Sequence, residues 1–92
     1  MWFTSSSGRI ELKITLEQAR SASHPGQCDE DVRELSKVPA IACQLAKIDP
    51  ETLRNELREY EAWDDGELAD HEQNLQRLLW LACCYIRDWH AV

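Results

Sequence analysis

The stretch from Asp64 to Trp89, DDGELADHEQNLQRLLWLACCYIRDW, constrains the fold more than any other part of the chain. Leu68, Leu75, Leu79, Ala82, Ile86 and Trp89 recur at steps of three, four or seven, and Leu78, Cys83 and Tyr85 widen the same stripe. Asp64 or Asp65 is a ready N-cap. Glu67, Asp70 and Glu72 load the first turns with the negative charge that a helix N-terminus favours. The pattern predicts a helix over Glu67–Asp88, about 33 Å long at 1.5 Å per residue, with shorter segments packed around it. Because LLWLACCYI is apolar almost all round, burial on two sides is expected there, with Trp80 covered as well.

The rest of the chain supplies those shorter segments. Met1–Gly8 reads as a flexible arm pinned by Trp2. In Arg9–Thr15, Ile10, Leu12 and Ile14 alternate with Glu11 and Lys13, which is a strand period. No second alternating run is present to pair with it, so an extended or short β arm is expected. Thr15 and Gln18 form a capping box for a helix over Leu16–Ser23. His24-Pro25-Gly26-Gln27 reads as a turn, and a helix starts near Cys28 with Val32 and Leu35 inward. Pro39 ends that helix at Val38 and suits the first turn of the next, which carries Ile41, Leu45 and Ile48. Asp49-Pro50-Glu51 opens another, striped by Leu53, Leu57 and Tyr60. Glu61–Asp65 then connects to the long helix, with Trp63 folded back onto the core. The fold class expected is all-α: one domain over residues 1–92, a compact bundle of four to five helices, helical from residue 16 onward.

Charge is distributed unevenly. The formal net charge is −7, from 17 acids against 10 bases. Between Asp49 and Glu72 stand Asp49, Glu51, Glu56, Glu59, Glu61, Asp64, Asp65, Glu67, Asp70 and Glu72 against only Arg54 and Arg58. All the excess negative charge therefore lies in one stretch. Such a balance disfavours direct contact with nucleic acid or an anionic membrane. It favours a basic partner, because a run of carboxylates steers a positive surface into contact. The plainer reading is that these acids cap helix starts and keep a small protein soluble, and capping alone accounts for Asp49, Glu51, Asp64, Asp65 and Glu67.

Signals for catalysis or metal binding are weak. Four cysteines and three histidines are present, but no close Cys-x-x-Cys pair that a zinc site would use. Cys43 and Cys83 fall on apolar faces and read as small buried residues. Cys28, with His24 one turn away, has the placing of a nucleophile, yet Asp29, Glu30 and Asp31 oppose thiolate formation. It reads better as a cap or packing residue. The chain carries no phosphate-binding glycine loop, no dinucleotide fingerprint and no His-Glu-x-x-His motif. Neither a catalytic residue, nor a metal, nor a cofactor is expected. With no apolar run of membrane-spanning length and no secretory signal, reduced thiols in a cytoplasmic protein are the expectation.

The acidic helical character of IDPETLRNELREYEAWDD running into ELADHEQNLQRLLWLA, over Ile48–Ala82, resembles small accessory proteins of bacterial phages, plasmids and integrative elements. Some of that group are acidic inhibitors of host defence, including anti-CRISPR proteins that block nucleic-acid sites. They share no common motif, so the resemblance transfers no functional residue. Taken with the charge pattern, it implies a protein-interaction module competing with nucleic acid for a basic surface. Glu56, Glu59, Asp64, Asp65, Asp70 and Glu72 are expected to carry the contact as charge, with Trp63 as an anchor. The alternative is a homodimeric structural protein joined through Ile10–Ile14 and Trp80.

Overall fold

The computed structural model describes residues 1–22, 28–60 and 63–89, with the side chains of Cys28, Asp29 and Trp89 left aside. It opens on a β-hairpin. Strand β1 (Trp2–Thr4) pairs antiparallel with β2 (Glu11–Lys13), setting Trp2 opposite Lys13, Phe3 opposite Leu12 and Thr4 opposite Glu11. The expected flexible arm is thus a strand, and the expected all-α class is corrected to a mostly helical fold with a two-stranded sheet. Trp, Phe and Thr fit a pleated surface, and the serine run between the strands makes the turn. Gly8 N–H donates to Ser5 O at 2.9 Å, and Gly8 sits at φ +78°, where a side chain would be strained.

Alternation then sorts the hairpin into two faces. Phe3, Ile10, Leu12 and Ile14 are buried, whereas Trp2, Thr4, Glu11 and Lys13 face outward. Ile10 and Ile14 belong to the protein's own core, so they are not available as a subunit contact.

Among the described residues five α-helices follow: α1 (Leu16–Ser21), α2 (Cys28–Leu35), α3 (Pro39–Ala46), α4 (Pro50–Arg58) and α5 (His71–Trp89). Local chemistry explains where most begin. Thr15 accepts from Gln18 N–H at 3.1 Å while Gln18 accepts from Thr15 N–H at 3.0 Å, which is the expected capping box. Pro39 and Pro50 each occupy a first helical turn, where a missing N–H costs nothing. Asp49 caps α4 by accepting from Thr52 N–H at 3.0 Å and from the Thr52 hydroxyl at 3.2 Å.

The long helix starts later than the sequence pattern predicts. Glu67–Ala69 is a separate 3₁₀ turn, and Asp70 is extended (φ −93°, ψ 108°), so α5 begins at His71. Two caps divide the expected single helix. Asp64 accepts from Glu67 N–H at 2.7 Å, and Asp70 accepts from Gln73 N–H at 3.2 Å. The seven-residue step from Leu68 to Leu75 survives this break, which is why periodicity alone does not reveal it.

Helix α5 is the element on which the others converge: α1, α2, α4 and β1 all pack against it. Its buried positions, Leu78, Leu79, Ala82, Cys83 and Ile86, meet Phe3, Leu12, Ala19, Val32, Leu53 and Leu57 in one hydrophobic cluster. Trp63 lies against that cluster as expected, but Trp80 is 38% exposed, so α5 is not covered on both sides there. One residue past Leu79, a step of about 100° around the helix carries Trp80 beyond the edge of the buried stripe. Cys43 also departs from expectation, being exposed on α3. Among the described residues no helix is long and apolar enough to cross a membrane. The expected turn at His24–Gln27 lies outside the described residues, as do Glu61 and His90.

Cys83 is buried, and burial followed by the neighbouring Cys84 thiol pushes its pKa up to about 12. A variant retaining Cys83 as its sole cysteine is expected to resist a thiol reagent at about pH 8, because the thiolate is the reactive form. Labelling should begin only once denaturant unfolds the chain. Rapid labelling of the native variant would show that this part of the core opens readily.

Candidate functional site

Helix α4 displays its first acids at Asp49 and Glu51, which follow directly from its N-cap and first turn. Thr52 N–H, hydrogen-bonded to the Asp49 carboxylate, holds its pKa below the ordinary value of 3.8. The sign of the linkage is definite. A depressed folded pKa contributes stability that is fully present above pH 3.8 and is lost as pH falls through the folded value. Asp49→Asn is therefore expected to flatten the stability–pH curve below about pH 4, measured by urea unfolding at stepped pH. An unchanged acid limb would remove Asp49 from the acid response.

Farther along α4, the acids part company. Glu56 is only 2% exposed, so its charge is not offered to a surface partner, correcting the expectation that it contacts one. Its place three residues after Leu53 and one before Leu57 puts it on the apolar stripe, a signal visible in the sequence. One carboxylate oxygen accepts from the Ser7 hydroxyl, and the other is buried without a hydrogen-bond partner. Beside it, Ser6 N–H donates to the Tyr60 hydroxyl at 3.1 Å, so α4 and the turn that follows it each hold the hairpin turn at one point. Glu59, by contrast, is exposed.

Beyond Tyr60 the described chain resumes at Trp63. The Arg77 guanidinium lies over the Trp63 ring at 5.2 Å and donates to Glu67 O at 2.7 Å and to Asn74 Oδ1 at 2.9 Å. Asn74 is itself buried and donates to Leu68 O at 2.9 Å. These contacts tie the segment bearing Asp64, Asp65 and Glu67 to the first turns of α5. Sequence reading passes over both residues, although Asn74 and Arg77 stand three apart on one helix face.

The carboxylates of this segment differ in what they already do. Asp64 and Asp70 are occupied as caps, and Asp65 pairs with Arg58, which also reaches Asn55 Oδ1 at 3.2 Å. Glu51, Glu59, Glu67 and Glu72 are exposed, and their carboxylates have no hydrogen bond or ion pair among the described residues. Asp70 and Glu72 border a groove whose opposite wall carries Arg33 and Lys37. Glu51, Arg54, Arg58 and Asp65 line a second groove along α4. Cationic side chains therefore punctuate the acidic surface, and Glu59 and Glu67 lie outside both grooves.

This arrangement can recognise charge. Among the described residues, no group of three or more His, Cys, Asp or Glu side chains is placed to hold a metal ion. His71 Nδ1 is buried without a hydrogen-bond partner at the start of α5. No family model matches the chain, and no curated protein or solved structure gives a significant match.

Proposed function

We propose that the protein is an acidic interaction module that occupies a basic surface on another protein and competes there with nucleic acid. The supporting observation is the set of free, exposed carboxylates at Glu59, Glu67 and Glu72 around the ion-paired Asp65, whose own segment with Glu67 is fixed by Asn74, Arg77 and Trp63. Carboxylates that are neither capping nor neutralised retain their field for a partner. A surface lined by Lys and Arg for phosphate binding is the chemical complement of such a field.

The test uses the free acids and leaves the caps intact. Changing Glu59, Glu67 and Glu72 together to Lys moves the formal charge from −7 to −1 without touching Asp49, Asp64 or Asp70. Tagged wild-type protein should capture a basic nucleic-acid-binding protein from a nuclease-treated bacterial lysate, and added DNA should displace it. The triple variant is expected to lose at least about tenfold in affinity for that protein while keeping its helical circular dichroism. Equal capture by both forms, or capture by neither, would refute the proposal.

A further inference from the structure

The two outer edges of the hairpin differ. Because Met1, Phe3 and Ser5 of the first strand and its flanks bond to Ile14, Leu12 and Ile10, the intervening Trp2 and Thr4 turn their backbone N–H and C=O groups away from β2. On the other strand Lys13 does the same, but its outward groups are satisfied. Lys13 N–H donates to Gln44 Oε1 at 2.7 Å, and Gln44 Nε2 donates to Lys13 O at 3.0 Å, so α3 occupies the β2 edge at Lys13. No described residue closes the β1 edge, where the outward N–H and C=O groups of Trp2 and Thr4 make no hydrogen bond among the described residues.

Exposed apolar surface gathers at that same edge. Trp2 is 59% exposed and Met1 40%. Tyr85, 49% exposed, meets the Phe3 ring edge-on at 5.5 Å. Open strand edges are usually blunted by charge, proline, a bulge or a covering element. Here β2 is engaged at Lys13 by α3, while β1 carries an exposed tryptophan along its open edge. A row of unpaired, outward backbone groups is a template for another extended backbone.

We propose that the β1 edge pairs with the β1 edge of a second copy of this chain, forming a four-stranded sheet across a two-fold axis. The edge is self-complementary for this. Antiparallel pairing about Phe3 sets Trp2 opposite the second copy's Thr4, and each such pair exchanges both of its outward backbone bonds. Charge also suits the pairing. The β2 edge faces the groove shared with Asp49 and Thr52 at the head of the acidic stretch, so the copies meet at the opposite edge of the sheet. In the paired sheet, rows on the outer face run Lys13–Trp2 and then Thr4–Glu11 of the other copy, ending in opposite charges. The contact uses none of Glu59, Glu67 and Glu72, so it stands or falls separately from the acidic surface.

Sedimentation equilibrium of the full chain over about 10 µM to 1 mM, under reducing conditions, tests the pairing. The mass should rise from 10.7 kDa towards twice that value. Trp2→Lys puts a charge at the open edge and keeps every backbone bond of the hairpin, giving up only the contact of Lys13 Nζ with the Trp2 ring at 5.9 Å, and it should hold the mass at that of the monomer with unchanged helicity. Thr4→Pro removes one outward N–H and should do the same. If Thr4→Pro fails to fold, Trp2→Lys alone decides. A wild-type mass fixed at the monomer value overturns the proposal, and so does a dimer that persists in Trp2→Lys.

Discussion

Leu79→Ala is expected to cost about 3–4 kcal/mol, the largest loss from any single truncation considered for this chain. Leu79 is fully buried on α5, the helix that α1, α2, α4 and β1 all pack against. Removing its branched end withdraws apolar area from the core and leaves a cavity whose walls belong to several elements. Those walls cannot all close in together, so relaxation recovers little. For 92 residues, total stability on the order of 5–14 kcal/mol is the expected range, so the loss is a large part of it. Urea unfolding should show a lower midpoint with an unchanged slope. Leu75→Ala is the control. Leu75 lies one turn earlier and is half-buried, so its truncation should cost less than half as much. Equal losses at the two positions would mean that α5 is not the centre of the core.

Asn74→Ala is expected to cost about 2–3 kcal/mol by a different route. The side chain is small, and most of the loss is polar. Leu68 O would lose its donor while buried, and Arg77 would lose one of its two oxygen acceptors. A buried acceptor left alone costs more than an average hydrogen bond contributes. The damage should also be local. Amide exchange at Glu67–Ala69 should speed up by about tenfold or more in Asn74→Ala, while Leu53 and Leu57 shift only with global stability. Uniform acceleration across the chain would show that Asn74 acts only through the core. If the acidic surface works as proposed, the same variant should also bind its partner more weakly, with all carboxylates still present.

Where a signal is local, the sequence announces the structure. The Thr15–Gln18 box, Pro39 and the Asp49-Pro50 start each depend on chemistry within four residues, and each helix begins where they indicate. The β1 strand escapes such reading because three residues carry too little alternation to register. Its assignment depends on pairing with β2, a contact across the turn. Periodicity also passes over the break at Asp70, since a stripe continues across a 3₁₀ turn as well as through a helix. At the acidic surface, composition marks the stretch but not each acid's occupation. Glu56 shows the difference most sharply: a carboxylate is ordinarily taken as exposed, yet its neighbours Leu53 and Leu57 place it inward. The ion pair of Asp65 with Arg58 spans seven residues and two elements, beyond what spacing on one helix can suggest.

The convergence of the hairpin, α1, α2 and α4 on α5 has a consequence for how the chain is made. During synthesis, Phe3, Leu12, Val32 and Leu53 leave the ribosome long before the surface that will cover them. At about 5–20 residues per second, the first seventy residues spend several seconds without their central helix. Helices this short are marginal alone, so the nascent chain presents loose apolar segments to chaperones and proteases in that interval. Folding then waits on contacts that join the first strand to the last helix, and such distant closures are slow. A pause in translation just before His71 would lengthen the exposure, whereas slowing within α5 would give its docking partners time to find it.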